Sequence, residues 1–312
     1  MEGTSVTRPA AGGPARDVVG YGATPPRVRW PEDNLVAVNF VINYEEGSEV
    51  SHAEGDGANE RFGGESDYPF PPDVRDLAQE SMYEYGSRAG IWRLLRLFDE
   101  YGIKATFSAC ARAFELNPGV ATAGRAAGHD LLCHGWRWEE HWPLGREEEA
   151  EHIARAVASF ERTWGERPRG YYCRYGPSVN TRELVAAEGG FLYDSDAYND
   201  DYPYYTEVAG QPHLVVPYTL TYNDFTVPKA VGNFLDICRR GFDEYRREGE
   251  AGMPKMMSIG LHPRAVGHAG RVNALRELIE HMLASGGVWF ARRIEIAEWW
   301  SDHHGEFVGE DR

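Results

Sequence analysis

Leu35-Val-Ala-Val-Asn-Phe-Val-Ile-Asn-Tyr-Glu-Glu-Gly47 is an apolar, β-branched run that ends on two adjacent carboxylates and a glycine. Such a run predicts a strand buried on both faces, the kind found in parallel sheets covered by helices. Glu45 and Glu46 then stand at the strand's C-terminal end, where α/β folds carry their chemistry. Adjacent glutamates also occur on solvated loops, so the pair needs company before it reads as a site.

Two later segments supply it. Gly128-His-Asp-Leu-Leu-Cys-His-Gly-Trp-Arg-Trp138 and Met256-Met-Ser-Ile-Gly-Leu-His-Pro-Arg264 are each short strand-like runs that deliver a histidine at the C-terminal end, His134 and His262. A lone histidine is more often structural than catalytic. Two histidines and a carboxylate pair, all at strand ends, form a candidate site.

Around these runs the chain alternates. Strands are predicted at Val36–Asn43, Ala105–Cys110, Asp130–Cys133, Gly170–Cys173, Leu214–Pro217, Lys255–Leu261 and Gly287–Phe290. Helices are predicted at Ser87–Tyr101, Asn117–Ala127, Arg146–Gly165, Thr181–Glu188, Gly232–Glu248, Val272–Ser285 and Ile294–Trp300. Gly102 closes the first helix, and Asn117-Pro118 reads as an N-cap followed by an N1 proline. This β-α alternation, with no hairpin signal, predicts a mainly parallel sheet wrapped by helices. No composition shift divides it, so one domain is expected over residues 18–305, between a disordered tail at 1–17 and a C-terminal tail at 306–312. The irregular stretch Ser48–Asp73 is too long for a simple connector and reads as a functional lid or an interface, or else as disordered.

The chain has 312 residues, 42% hydrophobic and 26% charged, in the range of soluble globular proteins. A formal charge of −17 argues against nucleic acid and anionic membranes as partners, since both call for a basic face. No apolar run approaches the roughly 20 residues of a membrane span, and the N-terminal stretch lacks the basic start and apolar core of a secretory signal. A cytoplasmic location is expected. Cys110, Cys133, Cys173 and Cys238 are widely spaced and free of Cys-x-x-Cys pairs, which predicts reduced thiols. Cys133 and Cys173 adjoin site residues but read as packing rather than as nucleophiles.

Asn43-Tyr-Glu-Glu-Gly47, Ser81-Met-Tyr-Glu-Tyr-Gly-Ser-Arg-Ala-Gly90, Cys133-His-Gly-Trp-Arg-Trp138, Phe191-Leu-Tyr-Asp-Ser-Asp196 and Ser258-Ile-Gly-Leu-His262 together resemble the polysaccharide deacetylase superfamily, and within it the branch of allantoinases and cyclic-imide hydrolases. The resemblance implies a distorted (β/α)7 barrel of the NodB-like type with its site at the strand C-termini. Metal-dependent members carry two adjacent aspartates and a His-x-x-x-His pair. Here Glu45 and Glu46 replace the aspartates and Trp138 replaces the second histidine. A catalytic zinc takes three protein ligands and tryptophan has no lone pair to offer, so no metal or other cofactor is expected. His141, seven residues after His134, is the candidate substitute, and nothing in the spacing favours it.

The implied roles are Glu45 as base, Glu46 beside it, His262 as acid toward the leaving nitrogen, and His134 orienting water or the oxyanion. Arg174 would polarise a carbonyl or pair with an anionic group, Trp136 and Trp138 would offer flat faces to a ring, and Tyr175 would join them in substrate binding. Asp194 would orient Arg174 or a histidine, and Tyr222-Asn-Asp-Phe-Thr-Val227 would line the pocket. The expected activity is opening of a small cyclic amide, allantoin or a related ureide or imide, which belongs to purine catabolism. Likeness to tetrameric relatives implies a homo-oligomer. The competing expectations are a metal-dependent N-deacetylase of an amino sugar or glycan, with zinc as cofactor, and a catalytically inactive binding subunit.

Overall fold

The computed structural model describes residues 12–66, 68–225 and 234–308. β1 is Val36–Tyr44, and all nine of its residues are buried. Side chains such as Val36, Val38, Phe40 and Ile42 each contribute about 1.5–3 kcal/mol on full burial, which makes β1 the spine of the sheet.

The remaining strands are β2 (Thr106–Ala109), β3 (Asp130–Cys133), β4 (Gly170–Tyr171), β5 (Tyr193–Asp194), β6 (Tyr204–Val208), β7 (Gln211–Val215), β8 (Lys255–Leu261) and β9 (Val288–Phe290). They run β6-β7-β5-β4-β3-β2-β1-β8, with β9 paired to β1. β8 pairs with Val36–Ile42 of β1, while β9 takes Val36–Val38 and β2 takes Val41–Tyr44. All pairings are parallel except β6 with β7. The sheet curls into an incomplete barrel, and the irregular segment after β7 reaches β8 through a parallel bridge from Asn223 to Gly260.

The helices are α1 (Leu77–Tyr85), α2 (Ile91–Glu100), α3 (Ala111–Leu116), α4 (Pro118–Ala126), α5 (Arg146–Thr163), α6 (Thr181–Glu188), α7 (Phe234–Glu250), α8 (Ala269–Ser285) and α9 (Arg293–Val308). None of the described helices is long and apolar enough to cross a membrane.

Several sequence expectations change. The β6–β7 hairpin was not expected; it turns on Ala209 and Gly210, both at positive φ (50° and 76°), so an alanine stands where Asn or Asp would have signalled the turn. α1 joins α2 through a π-helical turn at Gly86–Gly90, so the first helix begins ten residues earlier than Ser87. Asp76 caps it by accepting from the amides of Ala78 and Gln79. α3 went unpredicted. Pro118 does open α4, but the Asn117 side chain donates to Ser87 instead of capping. α9 continues to Val308, past the expected start of the C-terminal tail. Residues 1–11 of the N-terminal tail, 309–312 of the C-terminal tail and the first two residues of the helix expected from Gly232 lie outside the described residues.

Candidate active site

The strand order places the C-terminal ends of β1, β3, β4 and β8 around one cavity of about 930 Å³. Glu45 follows β1, His134 follows β3, Arg174 lies beyond β4 and His262 follows β8. The cavity is walled by these four residues, by Trp138, Tyr172 and Tyr175, by loop residues 61–66, and by Asn43, Asn223, Asp224 and Phe225.

Glu45 is the hub. Its Oε1 lies 3.2 Å from His134 Nε2 and 3.5 Å from His262 Nε2, and its Oε2 accepts from Arg264 Nη2 at 2.5 Å. Burial pushes this carboxyl upward, but Arg264, His262 and His134 outweigh burial and hold it well below the usual carboxylate range. His134 Nδ1 donates to the Tyr172 carbonyl at 2.6 Å, which leaves Nε2 as the atom that meets Glu45. That contact is a hydrogen bond when a proton lies between them.

His262 is oriented by Asp224, whose Oδ1 lies 2.5 Å from Nδ1 and whose Oδ2 accepts the His262 backbone N–H at 2.8 Å. Burial alone would lower His262; Asp224 and Glu45 overcome it and raise the imidazole to about 9. At neutral pH the site therefore holds a carboxylate, an imidazolium and a guanidinium in contact.

Glu46 points away from the cavity. Its Oε2 accepts the Glu45 amide at 3.0 Å and its Oε1 lies 3.5 Å from Arg264 Nη1. Burial raises it to about 7, with Arg264 opposing and Glu45 adding. It packs on the π-helical turn, where a Cβ on Gly86 would lie 2.2 Å from Oε1, so only glycine admits the carboxylate there.

The other predicted residues divide. Trp138, Arg174 and Tyr175 line the cavity. Arg174 is bound bidentately by Glu60 (2.7 and 3.1 Å) and stacks 3.9 Å over Trp138, so its charge is already answered by the loop. Trp136 lies in the core, under the Arg155 guanidinium at 3.7 Å, away from the cavity lining. Asp194 is in β5, also away from the lining; it pairs with Arg182 and His213, so the histidine it holds is His213. His141 is buried against Glu149 and Tyr171. The four cysteines are buried and free, and burial raises Cys133 to about 12 and Cys173 well above the ordinary thiol value, which disfavours a thiolate.

Sequence reasoning gave no role to Arg264 or Glu60. Arg264 lies two residues after His262 in a segment already singled out, and that proximity was its only signal; Glu60 had none. Within Tyr222–Val227, Asn223, Asp224 and Phe225 do line the cavity, while Thr226 and Val227 lie outside the described residues.

The donor set is a poor match for a catalytic metal. Position 138 has no lone pair, the Glu46 oxygens are turned to an amide and a guanidinium, and Glu45 already neutralises a permanent cation 2.5 Å away. Among the described residues, no three His, Cys, Asp or Glu side chains are grouped to hold a metal ion.

The pattern of the family described as "Polysaccharide deacetylase" matches residues 79–193. A protein described as a putative polysaccharide deacetylase of Schizosaccharomyces pombe is 39% identical over 93% of this chain and 98% of its own length. Two crystal structures, a probable polysaccharide deacetylase from Pseudomonas aeruginosa PAO1 and Puue allantoinase, are each 43% identical. Each covers 93% of this chain and 98% of its own, with TM-scores of 0.87 and 0.88. The identity, extended over nearly the whole length and shared with the NodB-like fold, places this chain in the polysaccharide deacetylase family.

Proposed function

We propose that this chain is a hydrolase that opens a small cyclic amide, allantoin or a related cyclic ureide or imide, by general acid–base catalysis without a metal. The observation that carries the reading is Glu45, set between His134, His262 and Arg264 at the wall of the cavity. The 43% identity to Puue allantoinase favours a cyclic amide as substrate.

In this mechanism a water at Glu45 Oε1 adds to the ring carbonyl carbon and gives its proton to the carboxylate. A carboxylate held so low is a weak base on its own. The proton it accepts lies within reach of His134 Nε2, at 3.2 Å, and is shared with the imidazole. His262, kept protonated by Asp224, donates to the ring nitrogen as the C–N bond breaks, and the products are an open-chain acid and its freed N–H. Asn43 and Asn223 stand on the same wall with their amide nitrogens turned to Tyr218 Oη at 3.4 and 3.2 Å, and Trp138 offers a flat face. The cation that polarises the base is Arg264 rather than a metal.

A second reading, metal-dependent N-deacetylation of an amino sugar or glycan, draws on the names of the yeast and Pseudomonas relatives. One assay separates the two. Allantoin, hydantoin, dihydrouracil and succinimide are tested for ring opening with and without chelator, beside acetate release from N-acetylated sugars with and without added divalent metal. Chelator-resistant ring opening is the expected result; metal-restored acetate release without ring opening would overturn it. A cytoplasmic homotetramer goes with the first reading and is checked by light scattering and cell fractionation.

A further inference from the structure

Loop 60–66 forms one wall of the cavity and is seated by three kinds of contact. Glu60 takes both Nη atoms of Arg174, the Phe62 carbonyl accepts from Tyr83 Oη at 2.9 Å, and the Gly63 carbonyl accepts from Arg264 Nε at 2.8 Å. The last contact differs from the others because the same guanidinium also donates to Glu45. A guanidinium is a rigid plane, so fixing Nε on Gly63 fixes the direction in which Nη2 meets Glu45 Oε2. Arg264 is 1% exposed and lies 4.2 Å over the Tyr83 ring, which leaves the plane little freedom to turn.

The loop is cut to this contact. Gly63 has φ +75°, and a Cβ there would stand 2.6 Å from Arg264 Nη2 and 2.8 Å from Tyr83 Oη. A side chain at position 63 must displace the guanidinium or unseat the loop.

We infer that Arg264 is a positioning residue through which the seating of loop 60–66 sets the aim and the charge of Glu45. The coupling rests on the reading of Glu45 as proton acceptor. With the loop seated, Gly63 holds the guanidinium on the carboxylate; with the loop lifted, the guanidinium loses one of its fixed ends and the carboxylate loses its aim. The ionisable groups facing Glu45 are Glu46 beside it, Tyr83 from α1, Cys110 after β2, His134 after β3, and His262 and Arg264 after β8. Of these, Tyr83 and Arg264 also hold the loop backbone, Tyr83 at Phe62 and Arg264 at Gly63, and of the two it is Arg264 that donates to Glu45, so a change at residue 63 reaches Glu45 through it.

The test uses the full chain labelled with ¹³C at the glutamate carboxyl, with the Glu45 resonance assigned from Glu45→Gln. Its titration is followed in wild type, Arg264→Gln, Arg264→Lys and Gly63→Ala, beside hydrogen exchange at residues 60–66 and kcat and KM for the ring-opening substrate. The expected result is a Glu45 midpoint raised by about 1–3 pH units in Arg264→Gln and by less in Arg264→Lys, where the charge remains. Gly63→Ala is expected to raise the midpoint too, with faster exchange in the loop and about a 10²-fold loss of kcat that exceeds any change in KM. Faster loop exchange in Gly63→Ala with the Glu45 midpoint and kcat unchanged would overturn the coupling. If Arg264→Gln does not fold, Arg264→Lys and Gly63→Ala decide. Silence of the wild type across the substrate panel would defeat the hydrolase reading alone, since the titration decides the coupling without turnover.

Discussion

Among the described residues two arginines are fully buried, and their surroundings are opposite. Arg264, at the strand C-termini, lies against the carboxylates of Glu45 and Glu46 and a loop carbonyl. Arg293, inside the curl of the sheet, donates only to neutral oxygens: Asn39 Oδ1, Ser258 Oγ, Ser195 Oγ and the carbonyls of Val216 and Pro217. Burial holds Arg293 below the ordinary arginine range, while the anionic neighbours of Arg264 raise it. Arg293 ties β1, β8, the residue after β5 and the irregular segment after β7 into one barrel, and among the described residues its charge forms no ion pair with a carboxylate; the ionisable groups that act on it are Tyr193, Tyr218, Tyr172 and, more weakly, Asp130. The charge of Arg264 instead sets the state of a carboxylate that faces the cavity. A buried cation is structural when its acceptors are neutral and fixed, and chemical when its acceptor can take a proton.

The largest effect expected from breaking this contrast is on the chemical side. Glu45→Gln should lower kcat by roughly 10²–10⁴-fold with the fold intact by circular dichroism, because it removes the proton acceptor and leaves Arg264 without its closest partner. On the structural side, Arg293→Met should destabilise by about 3–5 kcal/mol in urea unfolding, since it orphans several buried oxygens at once. The folded fraction should retain its turnover. A variant that is stable but inactive would place Arg293 among the chemical residues and dissolve the comparison.

A smaller effect concerns pH. His262 is raised from 6.5 to about 9, so turnover should fall above about pH 9 as the acid loses its proton. Asp224→Asn should move that alkaline limb down by about 1–2 pH units. The same shift gives a stability term that is complete below pH 6.5 and lost as pH rises through about 9. Equilibrium unfolding across that window checks it. The smallest contrast separates two tryptophans: Trp138→Leu should raise KM several-fold, and Trp136→Leu should instead cost about 1–3 kcal/mol of stability with KM unchanged. Urea melts beside initial rates distinguish them.

Much of the candidate site could be read along the chain because strand ends announce themselves. An apolar run that stops at Glu45, His134 or His262 declares both the strand and the residue at its mouth. Trp136 and Trp138 show the limit of that reading. They are two residues apart after the same strand, yet one is in the core and the other on the cavity wall, since the chain leaves β3 through a turn at Gly135 (φ 86°) and strand alternation no longer applies. Asp194 and Arg174 share the lesson: both carry charges suited to a site, and both were claimed by partners distant in sequence, Arg182 and His213 for one and Glu60 for the other.

By itself the sequence determined the parallel sheet, its principal strands and the three residues Glu45, His134 and His262, because period, β-branching and strand termini are local properties. Only the tertiary structure decided which charges meet. It turned Glu46 away from the cavity, brought Asp224 to His262 from 38 residues away, set Arg264 across 219 residues onto Glu45, and gave the long loop its seat on that arginine. The pairing of buried charges depends on desolvation and distance in three dimensions, and neither quantity exists until the sheet has curled.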